Sequence, residues 1–358
     1  MTAEPITRTR LYAVDNLRIV LTALVVVHHC AVTYGNIPLW FYVEPAKDPS
    51  GAVLDILVVF NQAFFMGFFF LISGLFTPGS YERKGAGPFV RDRLVRLGLP
   101  LLAFLILLRP LVNFPTYPQA NMPYWQYYFA SWDPGPMWFV EVLIVFALAF
   151  AVWRHLRKPA APRPAPLTFT AIALFVVALA VVTFLWRILV PSGSYVPVLG
   201  LPTPSYLPQY ASMFAVGCVA QRRGWFESLP ARAGWLGLVM AGVVTAVLLP
   251  LAGMTTGAAS SAATALWESA FAVSMIIGLS VLFRERFNEQ GPRGRFLAEH
   301  AFTVYIVHPI VLVALGFALS GLHAAAIVKF AAMLVLALPL CWALAYAVRS
   351  LPGAKRVL

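Results

Sequence analysis

The chain has 358 residues, of which 60% belong to the apolar set AVILMFWYC and only 11% are charged, with a mean hydropathy of +0.79. Soluble globular chains average about 45–50% apolar and about 25% charged residues, so an ordinary water-soluble enzyme, a disordered chain and a disulfide scaffold are excluded. The net charge of +12, from 26 Lys and Arg against 14 Asp and Glu, fits either a nucleic-acid partner or a membrane topology signal. The placement of the charges decides between them.

Ten apolar windows, near residues 11–34, 52–77, 95–113, 135–153, 167–190, 207–221, 234–252, 262–283, 300–320 and 323–348, approach the roughly 20 residues that a bilayer crossing needs. They predict an all-α integral membrane protein with about ten transmembrane helices, residues 11–348 forming one transmembrane domain between tails at 1–10 and 349–358. With the N-terminus inside, 21 of the 26 basic residues fall on inner segments, among them Arg8, Arg10, Lys158, Arg163, Lys355 and Arg356; the outer segments hold Lys47 alone. That bias is the positive-inside pattern, and it places both termini in the cytoplasm. It also removes the support for a nucleic-acid partner, because the basic residues are scattered over short loops instead of forming one stripe.

The first span, VDNLRIVLTALVVVHH, reads as a retained helix and not as a signal peptide, since it is long and ends in His28, His29 and Cys30. Arg18 and His29 are eleven residues apart, close to three whole turns, which sets them on one helix face about 16 Å apart. Asp15, one turn before Arg18, lowers the cost of burying it. Ionisable groups inside spans are costly unless paired or facing a cavity, so this pair suggests a tunnel with an anion clamp within and a proton-transfer group toward the outside.

Further along, span two ends FFFLISGLF, where Ser73 and Gly74 permit close backbone approach. Arg91, Arg93 and Arg96 follow at the inner face of span three, either as a phosphate site or as topology signals. Two outer connections have size, about 35–51 and 114–134; the second carries Trp125, Tyr127, Tyr128 and Trp132, an interfacial belt or a platform for a sugar ring. Glu141 in span four and Glu268 in span eight lie near the depth of His29. Either would orient the imidazole, or would instead pair with Arg109, Arg187 or Lys329. In span nine Pro309 deprives the Tyr305 carbonyl of its helical donor and breaks the helix at His308, a second cavity candidate or a packed core histidine. The linker Lys158 to Pro166 is low in complexity. GxSxG, HExxH, Walker and CxxC patterns are absent, so no serine hydrolase, metal site or prosthetic group is expected.

DNLRIVLTALVVVHH, FFFLISGLF, RDRLVRLGLPLL, PMWFVEVL and YIVHP, in that order on a ten-span chain, resemble the membrane-bound acyltransferase 3 family over about residues 10–350. The nearest resemblance within it is to the group around glucan-modifying succinyl transfer proteins. What the resemblance implies is an enzyme of the bacterial inner membrane that moves an acyl group from cytoplasmic acyl-CoA, acetyl-CoA or succinyl-CoA, to a hydroxyl of a sugar or glycan. It further implies that Arg18 and His29 are an essential pair, and that Arg91, Arg93 and Arg96 form an arginine motif near the donor. Donor binding is then expected at Arg18, Ser73, Gly74, Arg91, Arg93 and Arg96, catalysis at His29, Glu141 and His308, and acceptor contacts at Glu268, Trp125 and Trp132. His29 acts either as general base, oriented by Glu141, or as an acylated intermediate. The competing reading is a transporter or exporter of a glycan or lipid-linked precursor, in which the same charges line a path.

Overall fold

In lipid every backbone N–H and C=O must be paired within the chain, and apolar segments without polar relief respond by forming helices. The computed structural model describes residues 11–37, 39–157 and 165–358, and among these it is all-helical, with no strand beyond one isolated bridge between Val196 and Leu201. Arg8, Arg10, Lys158, Arg163, the N-terminal tail and most of the Lys158 to Pro166 linker lie outside the described residues.

The elements in order are α1 (Tyr12–Tyr34), α2 (Ser50–Lys84), α3 (Ala86–Gln119), a short α4 (Tyr124–Ala130), α5 (Trp138–Leu156), α6 (Phe169–Leu189), α7 (Leu207–Arg223), α8 (Arg232–Met254), α9 (Gly257–Arg286), α10 (Pro292–Leu319) and α11 (Ala326–Arg349). Each of the ten expected windows corresponds to a helix. Nine segments among the described residues are long and apolar enough to cross a membrane, the fourth of them joining α4 to α5. The window at 207–221 falls short, because α7 has 17 residues and includes Gln209, Tyr210, Gln221, Arg222 and Arg223. Its start lies within the helix bundle: Gln209 donates to the Ala63 carbonyl at 2.8 Å, and Ala63 is thirteen residues, about 20 Å, into α2. The connection 190–206 therefore dips into the protein, a third sizeable connection at the end of the bundle where 35–51 and 114–134 lie. Gly224, at φ +64 in the left-handed region, ends α7.

Within α3 the ladder widens into π turns at Leu94–Gly98 and Phe104–Leu108, each running up to a proline, Pro100 and Pro110, that has no N–H to donate. The expected break at Pro309 does not occur. α10 runs unbroken from Pro292 to Leu319, since the carbonyl that proline leaves open is taken up by a side chain.

α1 packs against α2, α9, α10 and α11, so its polar residues are enclosed by helices instead of lipid. α2 and α7 approach closely where Gly74 faces the backbone at Phe214 and Cys218 and Gly217 faces Leu71 and Leu75. At the periphery α6 exposes Leu174, Val177, Val181, Leu185 and Ile188 along one helical stripe, the face expected of a helix against acyl chains. The beginning of α1 and the end of the chain sit on one face, because Asp15, Arg18 and Leu358 line the same cavity.

Candidate active site

His29 lies five residues before the end of α1, about 7 Å along the helix from its C-terminal end. Its Nδ1 is 3.0 Å from the Val25 carbonyl and 3.2 Å from Nε2 of His308 on α10. His308 Nδ1 is in turn 2.7 Å from the carbonyl of Tyr305, the acceptor that Pro309 leaves vacant. A carbonyl only accepts, so the chain of bonds has one consistent assignment. His308 carries its proton on Nδ1 and offers a lone pair at Nε2; His29 donates from Nδ1 to both acceptors. The basic nitrogen of His29 is then Nε2, which has no hydrogen-bond partner among the described residues. Trp40 stacks on the His29 ring with centroids 3.8 Å apart and lies 5.7 Å from His308. His28, on another face of the helix, stacks on Phe65.

Two cavities meet at His29, toward the C-terminal end of α1, which is called outer for short. The first, about 410 Å³, is lined by Trp40, Phe41, Trp138, Asp133, Tyr195 and Pro202. The Tyr195 hydroxyl donates to Asp133, and burial, followed by this bond, holds the phenol above its usual range, so it stays protonated. The second, about 400 Å³, has an apolar wall from α1 and α2 and a polar one with Gln62, Thr203, Tyr206 and Glu268. Trp40 is held in place by its connection: Asn36 is bound to the Asp55 carboxylate at 2.7 Å, Glu44 N–H donates to Thr33, Lys329 pairs with Glu44, and the Ala326 N–H donates to Asp48.

Toward the N-terminal end of α1 a cavity of about 540 Å³, called inner for short, is lined by Arg18, Ser73, Arg93, Arg96, Phe139 and Tyr305, among others. Arg18 pairs with Asp15 at 3.6 Å, and Arg96 with Asp92 at 3.1 Å. Tyr305 borders this cavity and the second outer one, and its hydroxyl donates to the Pro136 carbonyl. It is the shared wall between the two sides.

Several expected placements change. Glu141 is not among the partners of His29; that position is filled by His308. Arg91 points into a separate apolar surface groove with Val90, Leu94 and His155, because two residues along a helix is about 200° of rotation from Arg93. Gly74 faces α7 and not the inner cavity, its missing side chain being required for helix packing. Glu268 forms an ion pair with Arg187 at 2.5 Å and accepts from Tyr206 at 2.6 Å, while still lining the second cavity. Trp125 is exposed, and Trp132 packs over Arg109, which also binds the Ser131 carbonyl; neither lines the cavities at His29. The aromatic residues that do include Trp40, Phe41, Trp138, Tyr195 and Tyr206. Tyr305, also unforeseen, could have been found one turn before His308 on the same face.

A family model described as an acyltransferase domain of the acyltransferase 3 type matches residues 11–346. The chain belongs to the acyltransferase 3 family. Comparison with curated proteins and with solved structures gives no match. This acyltransferase is thus a multi-pass membrane enzyme that transfers groups other than aminoacyl groups, and the transport reading gives way to that assignment.

If His308 orients the imidazole of the acyltransferase, His308→Ala lowers kcat by roughly ten- to a hundredfold with KM for the donor unchanged. His308→Gln, whose amide oxygen can accept the same hydrogen, recovers part of the loss. Steady-state kinetics on both variants check this, and an unaltered kcat in His308→Ala removes the relay.

Proposed function

We propose that the protein is an O-acyltransferase that takes an acyl group from acyl-CoA on the cytoplasmic side, with acetyl-CoA or succinyl-CoA as donor, and delivers it to a sugar hydroxyl at the outer side. The observation that carries this is the placement of Arg18 and His29 on one face of α1, opening into cavities on opposite sides that share Tyr305 as a wall. Donor phosphates bind among Arg18, Arg93 and Arg96, where guanidinium forks match phosphate geometry. The acyl arm passes Tyr305 toward His29, and the acceptor lies against Trp40 and Trp138, since sugar rings present apolar faces to aromatic planes.

In the transfer, His29 Nε2 removes the proton of the acceptor hydroxyl as its oxygen attacks the thioester carbonyl. The tetrahedral intermediate collapses with cleavage of the C–S bond, and the imidazolium returns the proton to the leaving thiolate, giving ester and free CoA. A second route is favoured by the position of His29 beyond the Tyr305 wall: Nε2 attacks the thioester carbonyl, the C–S bond breaks with departure of the CoA thiolate, the Nδ1 proton passes to His308, and the acyl-imidazole holds the group until the acceptor hydroxyl arrives. Single turnover without acceptor separates the two, because only the second leaves an acylated His29 peptide for mass spectrometry.

In this reading α7 counts as the tenth crossing, which agrees with the start of α1 and Leu358 lying on the Arg18 face, and the arginine-rich face is cytoplasmic in a bacterial inner membrane. The decisive assay is release of CoA thiol by the purified protein in detergent. Arg18→Ala is expected to raise KM for acyl-CoA about ten- to a hundredfold, as loss of a charge-assisted phosphate contact does. An Arg18→Ala enzyme with unchanged KM would remove Arg18 from the donor site.

A further inference from the structure

The inner cavity has one wall that the family match does not reach. The matched region ends at residue 346, yet Lys355, Arg356, Val357 and Leu358 line the cavity with Arg18, Arg93 and Arg96. The chain returns there through a defined turn. α11 ends at Arg349, whose guanidinium donates to the Glu299 carbonyl of α10 and fastens the end of the helix. Gly353 then adopts φ +81, a left-handed conformation that glycine enters without strain, and residues Ala354–Arg356 form one 3-10 turn. The Leu358 N–H donates to the Ala354 carbonyl at 2.8 Å, and the Leu358 side chain packs on the main apolar core. Anchored at both ends, the turn holds two exposed cations at the cavity.

Around the cavity five cationic side chains, Arg18, Arg93, Arg96, Lys355 and Arg356, face two acidic side chains, Asp15 and Glu299. Asp92 stands beside them and pairs with Lys84 at 2.8 Å and with Arg96. A singly charged ligand does not need such an excess. A ligand with several phosphates does, because each phosphate takes up one or two cationic donors.

Building on the acyl-CoA reading above, we propose that Lys355 and Arg356 complete the donor site, binding the phosphates of the nucleotide end. The pair recognises the nucleotide and takes no part in the chemistry at His29, so it acts on KM and not on kcat.

The test uses the full chain in nanodiscs of phosphatidylcholine alone, with turnover of acetyl-CoA or succinyl-CoA compared with that of the matching dephospho-CoA and pantetheine thioesters. Lys355→Ala/Arg356→Ala is expected to raise KM for acyl-CoA about tenfold and leave kcat within about twofold. KM for the pantetheine thioester, which lacks the nucleotide, is expected to stay constant. A smaller rise with acyl-dephospho-CoA than with acyl-CoA assigns the pair to the 3′-phosphate, and equal rises assign it to the diphosphate. Unchanged KM for acyl-CoA overturns the proposal, and so does an equal rise for the pantetheine thioester. A defect that appears only after anionic lipid is added also overturns it, because the pair then serves lipid headgroups. If the parent protein turns over no CoA thioester, the donor reading itself has failed and the proposal falls with it.

Discussion

His29→Ala is expected to lower kcat for acyl transfer by about 10²- to 10⁴-fold while leaving KM for the donor within a few-fold of the parent. The split follows from geometry: His29 lines the outer cavities, whereas the arginines proposed to hold the donor line the inner one. His29→Gln is expected to be as inactive, since an amide cannot accept the hydroxyl proton at neutral pH. The measurement is release of CoA thiol under steady state, with donor affinity followed separately by equilibrium binding. Full turnover by His29→Ala with any acceptor would sink the assignment. Loss of donor binding in the same variant would instead show that His29 belongs to the inner cavity.

The second large effect concerns stability. Arg187 and Glu268 form a buried ion pair in the apolar interior, with the Arg187 guanidinium also 5.0 Å from the Tyr206 ring centroid. Removing one partner leaves the other charge buried without compensation, at a cost of about 3–5 kcal/mol, whereas replacing both with apolar groups is often nearly neutral. Arg187→Leu is therefore expected to lower the midpoint of thermal unfolding in detergent markedly, and Arg187→Leu/Glu268→Leu to regain most of it. Equal midpoints for the single variant and the parent would show that the pair contributes nothing to the fold. Activity adds a separate reading. Glu268 lines the second cavity beside His29, so a double variant that is stable yet raises KM for the acceptor would assign the carboxylate to acceptor binding as well.

How much of this was legible in the chain depends on the range over which each signal acts. The helices were readable because a crossing imposes about 20 apolar residues locally, and the segment that departs, α7, does so because Gln209 and Tyr210 start it inside the protein against α2. The Arg18 and His29 register was readable because helical periodicity relates residues on one element. Arg91 shows the limit even there. Proximity in sequence suggested three equivalent arginines, but helix rotation sends Arg91 to a different surface.

The partner of His29 was not readable. Glu141 and His308 are both ionisable residues in spans of suitable depth, and nothing along the chain distinguishes them; packing of α1 against α10 does, across 279 residues of separation. Likewise Trp125 and Trp132 sit in the loop with the more conspicuous aromatic content, yet Trp40 covers His29, because Asp55, Lys329 and the start of α11 hold its connection down. Pro309 had the right consequence and the wrong form: the Tyr305 carbonyl is indeed left open, but the His308 ring fills it and the helix continues.

Composition and periodicity by themselves determined a helical membrane chain and the line of Arg18 and His29 along α1. These are properties of single segments, set by hydropathy, by the cost of unpaired backbone in lipid and by 3.6 residues per turn. Only the tertiary structure decided which nitrogen of His29 is basic, which aromatic residues face it, which arginines share a cavity, and that the chain end returns to that cavity. Those depend on how distant helices pack, and the energies that select one packing are summed over many contacts that no local pattern records.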